Sequence, residues 1–372
     1  MPEDELTALL TLNRIEGLGC TGAKFLYEQL GSAQEIFRNR DHLTEIIPGV
    51  DPHLKDALEV SGYVSFVREE LQFIEKHGIR CITPADVDYP ARLRECNDAP
   101  LVLFAMGNAD FNARHTVGVV GTRKATEYGR RMCRTFVSEL HRLCPDVLVI
   151  SGLAYGIDIE SHRASVESGC TTVGVLAHGL DMIYPSAHRD VACQMLSNGG
   201  LVTEFMSRTI PLKVNFVRRN RIIAGLSDAV VLIESAAKGG SLITAEIAGS
   251  YNRECFAFPG SVGDPYSVGC NELIRDNKAA LICSAMDFVN AMNWCTCRSV
   301  TADEGIQTSL FDDLTADERR VLERIRQKAQ GAHLNVLITD CNIPYARIMP
   351  ILFELEMKGL IRMCPGSMYK PA

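Results

Sequence analysis

The spacing of apolar residues changes character twice along the chain. Up to residue 77 they recur at helical intervals, as in "RIEGLGCTGAKFLYEQLGSAQEIF" (14–37), where a Gly-Leu-Gly turn separates two periodic stretches. "IIPGVDPHLKDAL" repeats the idea more weakly, so 1–77 is predicted to be a helical, helix-hairpin-helix-like (SAM-like) domain. From residue 78 the pattern becomes short, β-branched runs: "TVGVVG", "DVLVISG", "TTVGVLA", "GLVTE", "DAVVLIE", "CFAFPG" and "AALICS". They show little internal alternation, and amphipathic stretches such as "EYGRRMCRTFVSELHRL" separate most of them. Strands that are apolar throughout and joined by helical crossovers imply a parallel sheet covered on both faces. The expectation for 78–292 is therefore an α/β, doubly wound, Rossmann-like domain.

Periodicity weakens over 293–311, which reads as a linker. It resumes at "LTADERRVLERIRQKA", where Thr315 and Glu318 have capping-box spacing. Two helices and a short hairpin with Gly366 at its tip make 312–372 a predicted winged helix, with Pro350 inside the presumed recognition helix.

Charge changes this picture in one place. The chain carries a formal net charge of -8, yet 1–77 alone holds 14 acidic against 7 basic residues, a balance of -7. That surplus would repel a nucleic-acid backbone, so packing or protein contact is the expected role of the helical domain. The winged-helix segment, with nine basic and eight acidic residues, is nearly neutral and points to protein contact as well. No run of about 18 apolar residues occurs and the N-terminus is acidic, so a cytoplasmic protein without membrane attachment is expected. The 14 cysteines are scattered through apolar segments and read as small buried hydrophobes. "WCTC" (294–297) lacks the second pair a zinc site needs, and no metal or other cofactor is expected.

Against this background "NFVRRNRIIAG" (215–225) is unusual, because three arginines enter an apolar run with no acid among them. Either it is a cationic helix end, or the cations serve an anionic ligand. Its neighbours favour the second. In open α/β sheets ligands bind beyond the carboxyl ends of the strands. Those ends carry "GTRKATEYG", "SGLAYGID", "HGLDMIYP", the arginine segment, "SAAKGGSLITAE" and "PGSVGD". A dinucleotide enzyme is excluded: G-x-G-x-x-G is missing from the first turn, and the second strand ends in Ser151, not an acid. No G-x-x-x-x-G-K-[ST] string exists. Glycines can still let backbone N–H groups approach a phosphate after the first strand, and Gly239, Gly240, Ser241 and Thr244 can form a second cradle. Asp158 and His162 have acid–base spacing, but capping and bracing of the Ser151–Gly152 loop is the simpler use. "GGSLITAE", ending in Glu246, resembles the P-G-G-x-G-T-x-x-E loop of nucleoside monophosphate phosphoribohydrolases, with Lys238 and Leu242 as departures.

Taken in order, "VGVVGTRKATEYG", "ISGLAYGID", "GLDMIYP", "FVRRNRIIAGLS", "GGSLITAEIAG" and "FPGSVGDPYSVGCNELI" resemble the signature loops of the DNA-processing protein A (DprA/Smf) family over roughly 80–290. Val217 departs from the proline often found there. The resemblance implies a dimeric, non-enzymatic protein that binds single-stranded DNA during natural transformation, protects it and loads RecA recombinase. On that reading the DNA contacts are Gly121, Thr122, Arg123, Lys124, Ser151, Gly152, Phe216, Arg218, Arg219, Asn220, Arg221, Lys238, Gly239, Gly240, Ser241 and Thr244. Arg218, Arg219 and Arg221 would form a phosphate clamp at the strand ends, Asn220 would fix the turn, and Phe216 would stack a base. Removing the three arginines is then expected to cost binding and not stability.

Overall fold

A computed structural model describes residues 4–15, 17–51, 53–58, 64–294, 315–326, 332–341, 343–358, 360–364 and 368–371. The chain divides into two compact units, Met1–Thr296 and Cys297–Ala372.

The larger unit is built on a nine-stranded sheet. Its strands are β1 (Arg80–Ile82), β2 (Leu103–Gly107), β3 (His115–Val120), β4 (Val147–Ser151), β5 (Thr171–Val175), β6 (Gly199–Thr203), β7 (Ala229–Leu232), β8 (Glu254–Ala257) and β9 (Ala280–Leu281), in the spatial order β1-β2-β6-β5-β4-β3-β7-β8-β9. The seven predicted strands are β3 to β9, and all pairs among them are parallel. The fully parallel expectation needs one correction. β1 and β2 extend the β6 edge, and the β1–β2 and β2–β6 pairs are antiparallel, which makes the sheet mixed.

Burial explains why the parallel strands read as unbroken apolar runs. Val117 and Val119 of β3 enter one core and Val120 the other; Val149 and Ile150 of β4 divide in the same way. Successive side chains point to opposite faces, so a strand covered on both sides needs apolar residues at every position. Each such side chain contributes about 1.5–3 kcal/mol when fully buried.

A second correction concerns the arginine run. It lies inside helix Lys213–Leu226, not in a turn at a strand end. Ile222, Ile223, Ala224 and Leu226 bury that helix against the sheet, so Asn220 sits mid-helix and fixes no turn.

The predicted Gly-Leu-Gly turn joins helices Glu5–Arg14 and Gly19–Leu30, with Gly17 (φ 84°) and Gly19 (φ 64°) in left-handed conformations. The helical region shares its core with the sheet domain: Leu101, Val102, Phe104 and Met206 pack in the same cluster as Leu9, Leu26 and Ile36.

In the smaller unit, helices Ala316–Arg326, Leu334–Cys341 and Tyr345–Met357 accompany a three-stranded sheet ordered β10 (Ala332–His333), β12 (Met368–Pro371), β11 (Ile361–Cys364). The capping box forms reciprocally: Glu318 accepts from the Thr315 N–H (2.6 Å) and donates its own N–H to Thr315 Oγ1 (3.3 Å). Pro350 does fall within its helix. The hairpin tip at Gly366, most of the 293–311 linker and both cysteines of "WCTC" lie outside the described residues.

Candidate functional site

β3 is flanked by β4 and β7, so the direction of chain winding reverses between β3 and β7. That switch point is where an open α/β sheet leaves a crevice. A groove of about 530 Å³ opens there, between the loop after β3 (Gly121, Thr122, Arg123), the segment after β7 (Gly239, Gly240, Ser241, Thr244) and helix Lys213–Leu226, which contributes Lys213, Phe216, Arg219 and Asn220. Tyr184 and Asp158 complete the wall. Lys124 and Lys238 are exposed and lie outside this lining.

Helical geometry distributes the four central residues over different surroundings. Positions three apart share a face, and both Arg218 and Arg221 turn toward Cys20 of the helical region (3.7 and 3.1 Å to its sulfur). Arg221 is buried and bonds the Glu204 carboxylate and the Asp98 carbonyl, with the Asp98 carboxylate 3.8 Å away. Burial works against its charge, but Glu204, Cys20 and Asp98 outweigh it and leave the pKa raised. Arg218 is exposed and lies 5.6 Å over the Phe205 ring. Arg219 faces the groove side. One of its terminal nitrogens donates to the carbonyls of Gly152 and Val175, at the ends of β4 and β5. Burial lowers its pKa. Asn220 spans toward the Gly240 carbonyl at 3.4 Å. The three arginines thus do not form one contiguous clamp: Arg219 borders the groove, while Arg221 is neutralised within the protein.

Phe216 is the aromatic centre of the groove. The Arg123 guanidinium lies 4.9 Å from its ring centroid, Arg219 lies at 6.0 Å, and Tyr184 is tilted beside it at 6.0 Å.

Several glycines and small residues serve close approach. A Cβ on Gly121 would come within 2.5 Å of Ile157, and one on Gly152 within 2.3 Å of the Arg219 guanidinium. Ser151 is fully buried and donates to the Val119 carbonyl (2.6 Å). Gly152 therefore supports Arg219 through its carbonyl, Ser151 is committed to β3, and neither lines the groove.

The two phosphate cradles expected from sequence differ. Helix Glu127–Leu143, after β3, has Thr126 as N-cap, and the buried Glu234 carboxylate accepts from both the Thr126 N–H (2.9 Å) and its hydroxyl. An internal anion already sits at that end. Helix Gly240–Ser250, after β7, has Gly239 as N-cap with no side-chain capping bond, and Gly240 faces open space. Only this second N-terminus opens to the groove.

Beneath the groove is a buried polar floor. Asp158 accepts from the N–H groups of Gly152 and Ala154, the bracing expected of it; burial raises its pKa. His162 bonds Thr172 through Nδ1 (2.8 Å), and burial, with Arg219 and His188 adding to it, pushes its pKa down to about 3. Its Nε2 is buried without a partner. Glu246 is exposed and outside the groove lining.

Sequence reading missed Lys213, Tyr184 and Glu234. Lys213 and Tyr184 had a usable signal, since Tyr184 lies within the strand-end loop "HGLDMIYP" and Lys213 stands just before "NFVRRNRIIAG". Glu234 closes "VVLIE" and looks like an ordinary strand end; its partner Thr126 lies 108 residues away.

The comparisons with known proteins agree with this architecture. A family model described as DNA recombination-mediator protein A matches residues 80–293, and one described as the DprA winged helix domain matches 309–367. The chain is 33% identical to Protein Smf of Escherichia coli over 325 residues, covering 83% of each chain. The X-ray structure of DNA processing protein A from Streptococcus pneumoniae superimposes with a TM-score of 0.65 at 30% identity, covering 77% of this chain and 97% of that one. A Helicobacter pylori DNA processing protein A, whose structure is described in terms of its single-stranded DNA binding mode, matches with a TM-score of 0.53 at 26% identity over 58% of this chain and 96% of that one.

Proposed function

Because this chain belongs to the DNA recombination-mediator protein A family, we propose that it binds single-stranded DNA in the switch-point groove, without catalytic turnover, and hands that DNA to RecA recombinase. The observation that carries the reading is a groove bordered by Arg123, Lys213 and Arg219, with an aromatic ring at its centre and one acid, the buried Asp158, in its wall. Guanidinium forks match phosphate oxygens and stay charged. Phe216 offers a surface every base can use, because every base has a π-face. Gly239, Gly240, Ser241 and Thr244 add the second helix N-terminus. A DNA-processing role in natural transformation, a homodimer and a cytoplasmic location belong to the same reading. So does the division into 1–77, 78–292, a 293–311 linker and 312–372, with the outer domains serving protein contact. The structure described for the Helicobacter pylori relative lends support to the choice of ligand.

The test is a binding comparison of single- and double-stranded oligonucleotides over a salt series with the full chain. With roughly 3 to 5 phosphates neutralised, the log–log slope for single strands should be about -2 to -3.5. A flat response, or a preference for duplex, would contradict the reading. Release of base from nucleoside monophosphates that Glu246→Gln abolishes would replace it with the phosphoribohydrolase alternative.

A further inference from the structure

The first βα-turn of an open α/β sheet presents a helix N-terminus to the switch-point crevice, and such a terminus attracts a ligand's phosphate. Here a residue of the chain itself stands there. Glu234, at the end of β7, is 1% exposed, and its carboxylate is held by two donors of one residue, the Thr126 N–H and the Thr126 hydroxyl. Its own carbonyl accepts from the Thr122 N–H at 2.7 Å, so main chain and side chain together fasten the loop after β3. The first turn of the helix is shaped to this arrangement: a Cβ on Gly129 would stand 2.1 Å from the carboxylate. These partners are donors and not cations, which leaves the helix end as a main source of charge compensation. The neighbouring helix, Gly240–Ser250, has no such internal anion on its N-cap and faces the groove.

We propose that Glu234 is a specificity-determining residue. By occupying the anion position at the N-terminus of helix Glu127–Leu143, it denies that position to the phosphate of a free nucleotide. A mononucleotide depends on one strong phosphate site. A continuous strand instead spreads its charge over several weak contacts, here the groove cations and the Gly239–Ser241 end, and so loses little when one N-terminus is closed. The inference rests on the single-strand reading for its purpose, but the blocked anion position can be tested without DNA.

Three proteins decide it: the wild type, Glu234→Ala, and Glu234→Asp, which keeps the charge. Inorganic phosphate and adenosine monophosphate are titrated calorimetrically, and the nucleotide is then used to displace a labelled oligothymidylate. Glu234→Ala should bind both anions at least roughly tenfold more tightly than the wild type, the gain of about one charge-assisted contact. Glu234→Asp should behave as the wild type, and millimolar nucleotide should leave wild-type oligonucleotide binding intact. A folded Glu234→Ala with no gain in phosphate affinity would overturn the inference, as would effective displacement of the strand by nucleotide in the wild type. Should Glu234→Ala fail to fold, Glu234→Ser, which offers Thr126 a hydroxyl, takes its place, and the wild-type displacement result stands regardless. If the wild type binds no oligonucleotide, the functional reading falls, whereas phosphate gain in the alanine variant still bears on Glu234 alone.

Discussion

Arg219 and Arg221 stand two residues apart on helix Lys213–Leu226, both nearly buried, yet the two sides of the helix use their charge differently. On the side toward the helical region, Arg221 meets Glu204, Asp98 and Cys20 of its own chain. On the groove side, Arg219 meets backbone carbonyls, with Asp158 as the nearest acid, while Arg123 and Lys213 are exposed at the rim. One side is an internal ion cluster that joins two parts of the fold. The other leaves positive charge facing a groove. The lesson is that a basic run inside a helix must be divided by face before it is counted as a ligand site. It also reverses half of an expectation: removing Arg219 and Arg221 should cost stability, because both are built into buried networks.

The largest effect should come from breaking the internal side. Glu204→Ala leaves the buried Arg221 without its main partner, and a denaturant melt should show a loss of about 3–5 kcal/mol. The folded fraction should bind single strands as before. If affinity fell in proportion and stability held, the two sides would have to be exchanged. On the groove side, Phe216→Ala should weaken single-strand binding by about 1–3 kcal/mol without changing the salt slope, since stacking neutralises no phosphate. An altered slope in an isotherm series would mean that the ring acts chiefly by placing Arg123.

Acidification should act on the groove floor. The folded pKa of His162 is about 3, below its ordinary 6.5, so between those values the unfolded chain binds the extra proton. The stability this histidine contributes is therefore complete above pH 6.5 and is lost as pH falls toward 3. From pH 7 to 5 that loss is about 2 kcal/mol. Melts of the wild type and His162→Gln over this range should converge at low pH; parallel curves would show that the histidine is not held neutral. The smallest effect should follow removal of 312–372, whose nine basic and eight acidic residues leave little net attraction for DNA. Single-strand affinity should change by less than roughly threefold.

How far these features could be read from sequence follows the distance over which each is determined. The seven parallel strands were visible because burial on both faces forces continuous apolar runs, and Thr315 with Glu318 because a capping box is local. β1 has only three residues, and β2 pairs with β6 across about a hundred residues, so their antiparallel edge was not anticipated. The glycine-containing segments after β3 and β7 are legible as strand-end loops, whereas the arginine segment belongs to a helix. The fate of Arg221 is hidden from sequence, because its partner Asp98 is 123 residues away and Glu204 closes the strand-like run "GLVTE". Ser151 looked like a loop hydroxyl open to ligand, whereas its hydroxyl is committed to Val119.

The most direct test compares the salt dependence of single-stranded oligonucleotide binding in the wild type and in Arg123→Ala. Arg123 is exposed on the groove rim and makes no ion pair among the described residues, so it can be removed without disturbing the core. Loss of one phosphate contact should make the log–log slope less negative by about 0.7, with affinity down roughly ten- to hundredfold and the melting temperature unchanged. An unchanged slope at unchanged affinity would place the DNA elsewhere on the molecule.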